Sequence, residues 1–219
     1  MMRLSRYGGN PNLGVFAVTN ESLCLVAADA SPEFVRTLEE TLGVETILTT
    51  VAGSFVVGSL VALNSNGAVV SGLSEPLEIQ RIDERIPCTV LDDPQNAAGN
   101  NILVNDKGAI VNPNYGPEVV ASISDALGVE CVSSSIAGCN TPGSVCKATN
   151  KGCICHLDAS DDEVALISDV LGVEVQKTSV NHGSRVVGAG VVANSKGAVV
   201  GDDTTPIEMG KIEDGLGLY

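Results

Sequence analysis

The amino-acid sequence repeats itself with a period near 44 residues, and this periodicity restricts the fold more than any other feature. Five glycines, each ahead of an apolar run, are separated by 44, 41, 44 and 45 residues: Gly14, Gly58, Gly99, Gly143 and Gly188. An asparagine follows each glycine after six or seven residues, the fourth being shifted by one: Asn20, Asn64, Asn105, Asn150 and Asn194. A third marker ends each unit: Leu42-Gly43-Val44, Ile86-Pro87, Leu127-Gly128-Val129, Leu171-Gly172-Val173 and Leu216-Gly217-Leu218. Three markers in one phase predict five copies of one unit.

Each unit is predicted to contain a strand, a hairpin turn, a second strand, a helix and a third strand. In the second copy, the apolar run 60–63 predicts a strand, and the Asn-Ser-Asn-Gly turn that follows supplies residues that tolerate positive φ. In the first copy, Ser31 is the expected N-cap of a helix with Pro32 at its first position, and Gly43 is expected to end it.

A helix in every unit excludes an all-β propeller, although the period is similar. Five units that each leave one face unburied are expected to close into a ring, with hairpin strands around the axis and helices outside. The predicted fold class is α/β, a five-fold pseudosymmetric α/β propeller in one domain, 1–219. The repeats are placed at about 10–53, 54–94, 95–138, 139–183 and 184–219.

Charge and composition exclude several classes of protein. The formal net charge is −15, from 12 basic and 27 acidic residues, yet 44% of residues are hydrophobic, which an acidic disordered chain would lack. This acidity argues against a protein that binds nucleic acid mainly through its net charge, since such binding needs a basic face. No apolar run approaches a membrane span, and no apolar signal region follows Met1, so we expect a cytoplasmic protein. Many acids with few lysines and aromatic residues favour a halophilic protein over a merely acidic one.

The acidic residues avoid particular stretches. Residues 46–74 carry no charge, residues 131–157 carry no acid, and residues 177–201 carry bases but no acid. Buried strands exclude charge in any fold, but the turns 64–66 and the connectors 52–54 and 97–100 are neutral as well. Two interpretations stay open for these loops: a neutral docking face, or ordinary turn chemistry.

The cysteines offer two possible kinds of chemistry. Cys139, Cys146, Cys153, Cys155 and His156 carry ligand types that suit zinc, but no Cys-x-x-Cys knuckle is present, so buried reduced thiols are favoured and no metal is predicted. Cys153 and Cys155 are expected to point together into the core. A nucleophilic enzyme would pair one of these two thiols with His156 or His182. A five-unit ring of this type resembles the pentein architecture, which implies as the alternative a pentein-type Cys-dependent guanidino-group hydrolase. Such enzymes bind the guanidinium with paired acids, and the central segments of this chain contain none.

Four motifs carry a resemblance to a known family. They are Asn194-Ser195-Lys196-Gly197-Ala198-Val199-Val200-Gly201-Asp202-Asp203, Ala52-Gly53-Ser54 with Val57-Gly58-Ser59, Ala98-Gly99-Asn100, and Asn150-Lys151-Gly152-Cys153 with His156. Together they resemble archaeal translation initiation factor 6, across essentially the whole chain. Two departures are present. The turn Asn20-Glu21-Ser22 lacks a glycine and is expected to differ, and Leu157 stands where a proline is expected.

The resemblance implies a pentein ring without catalytic residues or cofactors. It further implies a monomer that binds the large ribosomal subunit, prevents association with the small subunit and takes part in large-subunit maturation. The implied partners are a uL14-type ribosomal protein and the sarcin–ricin loop of rRNA, with no DNA and no membrane. We expect the neutral end of the ring to dock, through a set of seven residues: Ser54, Phe55, Gly58, Ser59, Gly99, Asn100 and Asn101.

Overall fold

Residues 1–219 are described by a computed structural model, in which five three-stranded sheets are joined to nine α-helices. The strands are β1 Met2–Ser5, β2 Ala17–Thr19, β3 Leu23–Ala27, β4 Glu45–Thr49, β5 Val61–Leu63, β6 Ala68–Ser71, β7 Cys88–Leu91, β8 Ile102–Val104, β9 Gly108–Val111, β10 Glu130–Ser133, β11 Cys146–Ala148, β12 Gly152–His156, β13 Glu174–Thr178, β14 Val191–Asn194 and β15 Gly197–Gly201. The helices are α1 Pro32–Leu42, α2 Val57–Leu60, α3 Pro76–Asp83, α4 Ala98–Asn101, α5 Pro117–Leu127, α6 Pro142–Val145, α7 Asp161–Leu171, α8 Val187–Gly190 and α9 Pro206–Leu216. A 3₁₀ turn spans Leu13–Val15.

Each unit has the same plan. A single helical turn leads into two antiparallel strands, a longer helix follows, and a third strand pairs in parallel with the second. In the second unit, β5 pairs with β6 at Ala62↔Val69, and β6 pairs with β7 at Val69↔Thr89. The predicted α/β unit is therefore confirmed, with one correction: Leu60 ends α2 instead of starting a strand. A helix of four residues is too short to show helical periodicity in the sequence.

The five units close into a ring. Strands β2, β5, β8, β11 and β14 each contact the next in a cycle that returns from β14 to β2, and they surround the axis. Strand β1 pairs in parallel with β15, Met2 opposite Ala198, so the N-terminus completes the sheet of the last unit. The N-terminal residues, whose order the sequence left open, thus join the first unit to the fifth.

The core lies between the sheets and the outer helices. All residues of the middle strands β3, β6, β9, β12 and β15 are buried, as expected for strands covered on both faces. Helix α1 buries Phe34, Leu38 and Leu42 on one side, and its other side is exposed. Ser31 Oγ accepts a hydrogen bond from the Phe34 N–H, and Gly43 ends the helix at φ +61°, so both predicted helix limits are confirmed. No helix has the length and apolar character needed to cross a bilayer.

Asparagines connect the units at the end of the ring that carries the hairpin turns, here called the turn end. Each Nδ2 donates to the backbone carbonyl of the equivalent residue in the next unit: Asn20 to Asn64 at 2.9 Å, Asn64 to Asn105 at 3.2 Å, Asn105 to Thr149 at 3.1 Å, and Asn194 to Asn20 at 3.1 Å. The fourth position is therefore Thr149, and the sequence assignment to Asn150 was wrong. Asn150 instead donates to Asp106 and Glu21. No side chain connects the fourth unit to the fifth in this way.

The turn of the first unit does not differ, contrary to expectation. The N–H groups of Ser22 and Leu23 donate to Asn20 Oδ1 at 2.9 and 2.7 Å, as those of Asn66 and Gly67 donate to Asn64 Oδ1. The difference lies in what packs on the turn. A Cβ on Gly67 would lie 2.1 Å from the carbonyl oxygen of Ala126 in the adjacent helix.

The helix that faces the first turn is shorter. Helix α3 has eight residues, whereas α1, α5, α7 and α9 have eleven each. Leu23 is buried in a cluster with Ile82 and Ile86 from that region. The first unit lacks the turn glycine, and the second unit lacks the Leu-Gly-Val marker. Both departures thus lie where the first turn packs against the α3 region.

Candidate binding surface at the glycine end

The repeat glycines bring the five units together at the end of the ring opposite the turns. A Cβ built on Gly58 would lie 2.0 Å from the carbonyl oxygen of Gly14, and one on Gly99 would lie 2.0 Å from that of Gly58. The same contact recurs for Gly143, Gly188 and Gly14, at 2.2, 2.1 and 2.4 Å from the preceding glycine. Any larger residue would therefore collide with backbone. The close approach that these glycines permit is to the neighbouring unit.

This end of the ring is almost free of charge. We define the glycine end as the segments 11–15, 52–60, 95–101, 137–145 and 181–190, which contain the five single helical turns and the loops before them. They contain no acidic residue, in a chain of net charge −15. Arg185 is the one basic residue apart from His182, and its guanidinium bonds to Asp158. The segments at this end of the ring are therefore neutral, while acids outside them, such as Asp158, Glu78 and Glu208, are bound to these segments.

The structure separates the seven predicted docking residues into three groups. Phe55 is 44% exposed, an unusual position for a large aromatic side chain, and Ser54 beside it is partly exposed. Ser59 and Asn100 follow Gly58 and Gly99 and line the mouth of the space around the axis. Asn101 is buried.

Asn101 is committed to contacts within the protein. Its Nδ2 donates to the carbonyl of Gln95 at 2.9 Å, and its Oδ1 accepts from Asn112 Nδ2 at 2.8 Å. The Tyr115 hydroxyl donates to the same Gln95 carbonyl at 2.8 Å. Asn101 therefore positions the loop of the third unit, and a direct contact with a partner would come from Asn100.

Two glutamates hold the loops that lead into the glycine end. Glu208 accepts hydrogen bonds from Ser179 Oγ, from Thr205, and from the N–H groups of His182 and Gly183. Burial by itself would raise the pKa of Glu208, but these hydrogen bonds outweigh it and lower the pKa to about 2. Thr205 and Glu208 also form the capping box at the start of α9.

Glu78 does the same in the second unit, where it accepts from Thr50 Oγ1 and from the N–H groups of Ala52 and Gly53. Burial opposes these hydrogen bonds, but they lower the pKa of Glu78 below its ordinary value. Ala52 has φ +53°, a left-handed conformation that is uncommon for alanine. No local signal in the sequence showed that the Glu78 carboxylate reaches a loop about 26 residues away.

The cysteines lie in an apolar environment. Cys146, Cys153 and Cys155 belong to one buried cluster against which Cys139 packs, so the prediction that Cys153 and Cys155 point together into the core is confirmed. Burial raises the pKa of Cys155 to about 11 and that of Cys153 well above its ordinary value. Thiols at neutral pH are poor nucleophiles and poor metal ligands. All seven cysteines are unpaired.

Neither histidine is placed to activate these thiols. His156 is buried, and its Nδ1 accepts a hydrogen bond from the Asp158 N–H at 3.0 Å, so that nitrogen stabilises a turn. His182 lies in the 180–184 loop at φ +61°. No three His, Cys, Asp or Glu side chains are grouped as a metal site requires.

Comparisons with known proteins show the family to which the chain is similar. Residues 2–215 match the eIF-6 family. Among curated proteins, the chain is 38% identical over 218 residues to "Translation initiation factor 6" of Methanosphaerula palustris, covering 100% of this chain and 99% of the relative. It is 45% identical to the protein of the same name from Archaeoglobus fulgidus, covering 95% and 96%, and 43% identical to that from Halorubrum lacusprofundi, covering 99% of both.

Proposed function

Since the chain belongs to the eIF-6 family, we propose that it binds the large (50S) ribosomal subunit and sterically prevents premature association with the small (30S) subunit. The bound factor and the small subunit would exclude each other, so no chemical step is required. A part in large-subunit maturation follows from the same binding, because the factor must leave before the subunits join. The protein acts as a cytoplasmic monomer without a cofactor.

The observation that carries the choice of surface is the absence of acidic residues from the segments of the glycine end. A protein with a net charge of −15 is repelled by the phosphates of rRNA, and the repulsion is smallest where acids are absent. The hairpin turns at the other end carry Glu21 and Asp106, and the outer helices carry most of the remaining acids. The glycine end therefore faces a uL14-type ribosomal protein and the nearby sarcin–ricin loop.

The contacts available at this end are short-range ones. Phe55 offers exposed apolar and aromatic surface, and Ser59 and Asn100 offer hydrogen bonds from side chains that have no protein partner. In a halophilic cytoplasm of molar salt, the screening length falls to about 3 Å, so attraction by net charge would be lost and such contacts would remain. The acidic outer helices would then keep the protein soluble, and the glycine end would bind the ribosomal subunit.

A binding role is favoured over the alternative of a guanidino-group hydrolase by the state of the thiols. The candidate nucleophiles are buried, and their pKa values lie far above neutral pH. The relatives are all named as initiation factors. The protein is therefore proposed to act by occupancy alone.

Co-sedimentation with purified large subunits in a sucrose gradient tests the proposal, together with the yield of intact ribosomes when small subunits are added. The parent protein should travel with the large subunit and reduce that yield. Ser59→Glu and Asn100→Asp place a negative charge at the glycine end and should weaken both effects. Phe55→Ala should weaken binding by about 1–2 kcal/mol, roughly tenfold.

Each variant has a matched control away from the glycine end. Ser122→Glu and Gln80→Glu make the same charge changes at exposed sites on α5 and α3, and Tyr219→Ala truncates an aromatic side chain that is 90% exposed. If Ser59→Glu and Asn100→Asp bind as tightly as the parent, the proposed face is wrong. If the parent itself does not travel with the large subunit, the proposed function is wrong.

A further inference from the structure

Lys147 is the one charged residue on the five strands that surround the ring axis. The equivalent positions of the other axial strands, one place before Thr19, Leu63, Val104 and Ala193, are the apolar residues Val18, Ala62, Leu103 and Val192. With Val18, Ala62 and Leu103, Lys147 lines a space of about 60 Å³, here called the axial channel, which opens at the glycine end. The channel thus contains a cation where the repeat pattern calls for an apolar residue.

This cation has no partner within the protein. Lys107, Lys177 and Lys196 each donate to a carbonyl or a carboxylate, whereas Lys147 Nζ makes no such contact. None of the ion pairs of the chain includes Lys147. The ionisable side chain that most affects it is Cys24, and burial raises the pKa of that thiol to about 12, so it supplies no negative charge at neutral pH.

Lys147 is partly exposed. A charge that is partly withdrawn from water and has no partner is costly, and the cost falls when an opposite charge binds next to it. Burial lowers the pKa of Lys147 to about 8, which leaves the ammonium form predominant at pH 7. Ser59 and Asn100 line the same channel, and their side chains make no hydrogen bond to the protein, so an O–H and an N–H₂ group are available in the channel that holds the ammonium.

We propose that Lys147, with Ser59 and Asn100, binds a small monovalent inorganic anion of the halide class in the axial channel. The volume is suitable, because one water needs about 10–15 Å³ on the same measure, so the channel takes a halide with a few waters. A single ammonium neutralises one negative charge, and a divalent phosphate would leave the second uncompensated. The site shares Ser59 and Asn100 with the proposed docking surface, but the test of anion binding needs no ribosomes.

Line broadening in ³⁵Cl NMR measures exchange of chloride with a protein site. The parent protein in potassium chloride should broaden the chloride resonance, and added bromide should remove the broadening by competition. Lys147→Met should abolish this excess broadening. Lys211→Met, which removes an exposed lysine on α9, should leave it unchanged. Equal broadening by Lys147→Met and the parent would overturn the proposal.

A second measurement uses the unmodified protein and does not depend on the folding of a variant. The sequence contains six lysines, so ¹³Cε-labelled lysine gives few enough signals to follow the Lys147 titration. Replacing gluconate, which is too large for the channel, with bromide at constant ionic strength should raise the pKa of Lys147 by about one unit, a tenfold preference of the anion for the ammonium form. An equal pKa in both salts would show that no anion is bound there.

Discussion

At the glycine end, all five units carry the same residue at the contact between units, whereas at the turn end the contact positions are Asn20, Asn64, Asn105, Thr149 and Asn194. At the glycine end the contact is backbone against backbone, with 2.0–2.4 Å available where a Cβ would stand. At the turn end, a side-chain amide reaches across to a carbonyl. A turn-end position can therefore change residue and still keep its turn.

The turn end shows that tolerance directly. Thr149 Oγ1 accepts hydrogen bonds from the N–H groups of Lys151 and Gly152 at 3.1 and 3.2 Å. It therefore replaces the asparagine Oδ1 as the acceptor within the turn. The donation to the next unit is lost. At the glycine end no other residue can replace the glycine in this way, because even a methyl group would overlap a carbonyl oxygen. Four substitutions test this contrast, and the first has the largest expected change in the free energy of unfolding.

Gly99→Ala should produce the largest loss. Its Cβ would lie 2.0 Å from the Gly58 carbonyl oxygen and 2.7 Å from that of Val61, so two units must move apart, at a cost of about 3 kcal/mol or more in the free energy of unfolding. Urea denaturation followed by circular dichroism measures it. Gly210→Ala is the control, because a Cβ there meets nothing within 4 Å and should stabilise α9 by up to about 1 kcal/mol. A Gly99→Ala protein of parental stability would contradict the backbone contact.

Asn64→Ala should destabilise the turn end by about 2–3 kcal/mol, since it leaves the buried carbonyls of Asn105 and Leu127 without this donor and two turn N–H groups without their acceptor. Asn64→Thr should cost less, because it copies Thr149 and keeps the acceptor in the turn. The same urea titration compares the two variants. Equal losses would mean that the acceptor within the turn contributes nothing and that the lost donations from Asn64 Nδ2 account for the whole effect.

Glu208→Gln should lower the free energy of unfolding at pH 7 by about 2 kcal/mol, since the carboxylate that holds the 180–184 loop becomes a weaker acceptor. The pKa of Glu208 falls from 4.5 to about 2 on folding, so its stabilisation is complete above pH 4.5 and is lost as the pH falls towards 2. The difference between parent and variant should therefore shrink between pH 4.5 and 2. Glu213→Gln, at an exposed position on α9, should show no such dependence.

Thr149→Asn should give the smallest effect, a gain of about 0.5–1 kcal/mol. The new Nδ2 would reach towards the Asn194 carbonyl, as Asn105 Nδ2 reaches that of Thr149, and would supply the fifth connection of the turn end. Thermal unfolding by calorimetry measures the gain. Thr149→Val keeps the shape but removes the acceptor in the turn and should destabilise. A loss of stability in Thr149→Asn would show that the fourth and fifth units meet in a different geometry.

The fold was largely predictable because its signals are local and repeated. A few neighbouring residues determine each hairpin turn, the N-cap at Ser31 and the left-handed glycine at Gly43. Because the pattern occurs five times, the sequence predicted the repeated unit. The assignment of Asn150 failed because its spacing is off by one from the rest, and only the hydrogen bonds show that Thr149 occupies the position. For the candidate surface, neutrality could be read from composition, but the burial of Asn101 could not, since Gln95 and Asn112 contact it through the folded loop.

The sequence by itself determined that the chain has five α/β units, where helix α1 begins and ends, and which loops lack charge, because these properties belong to short segments. Only the tertiary structure decided that Gly58 and Gly99 meet neighbouring backbone, that Glu208 holds a distant loop, that β1 completes the last sheet, and that Lys147 lies alone in the axial channel. These properties arise where different units meet. Ring closure sets those distances, and no single repeat contains the information.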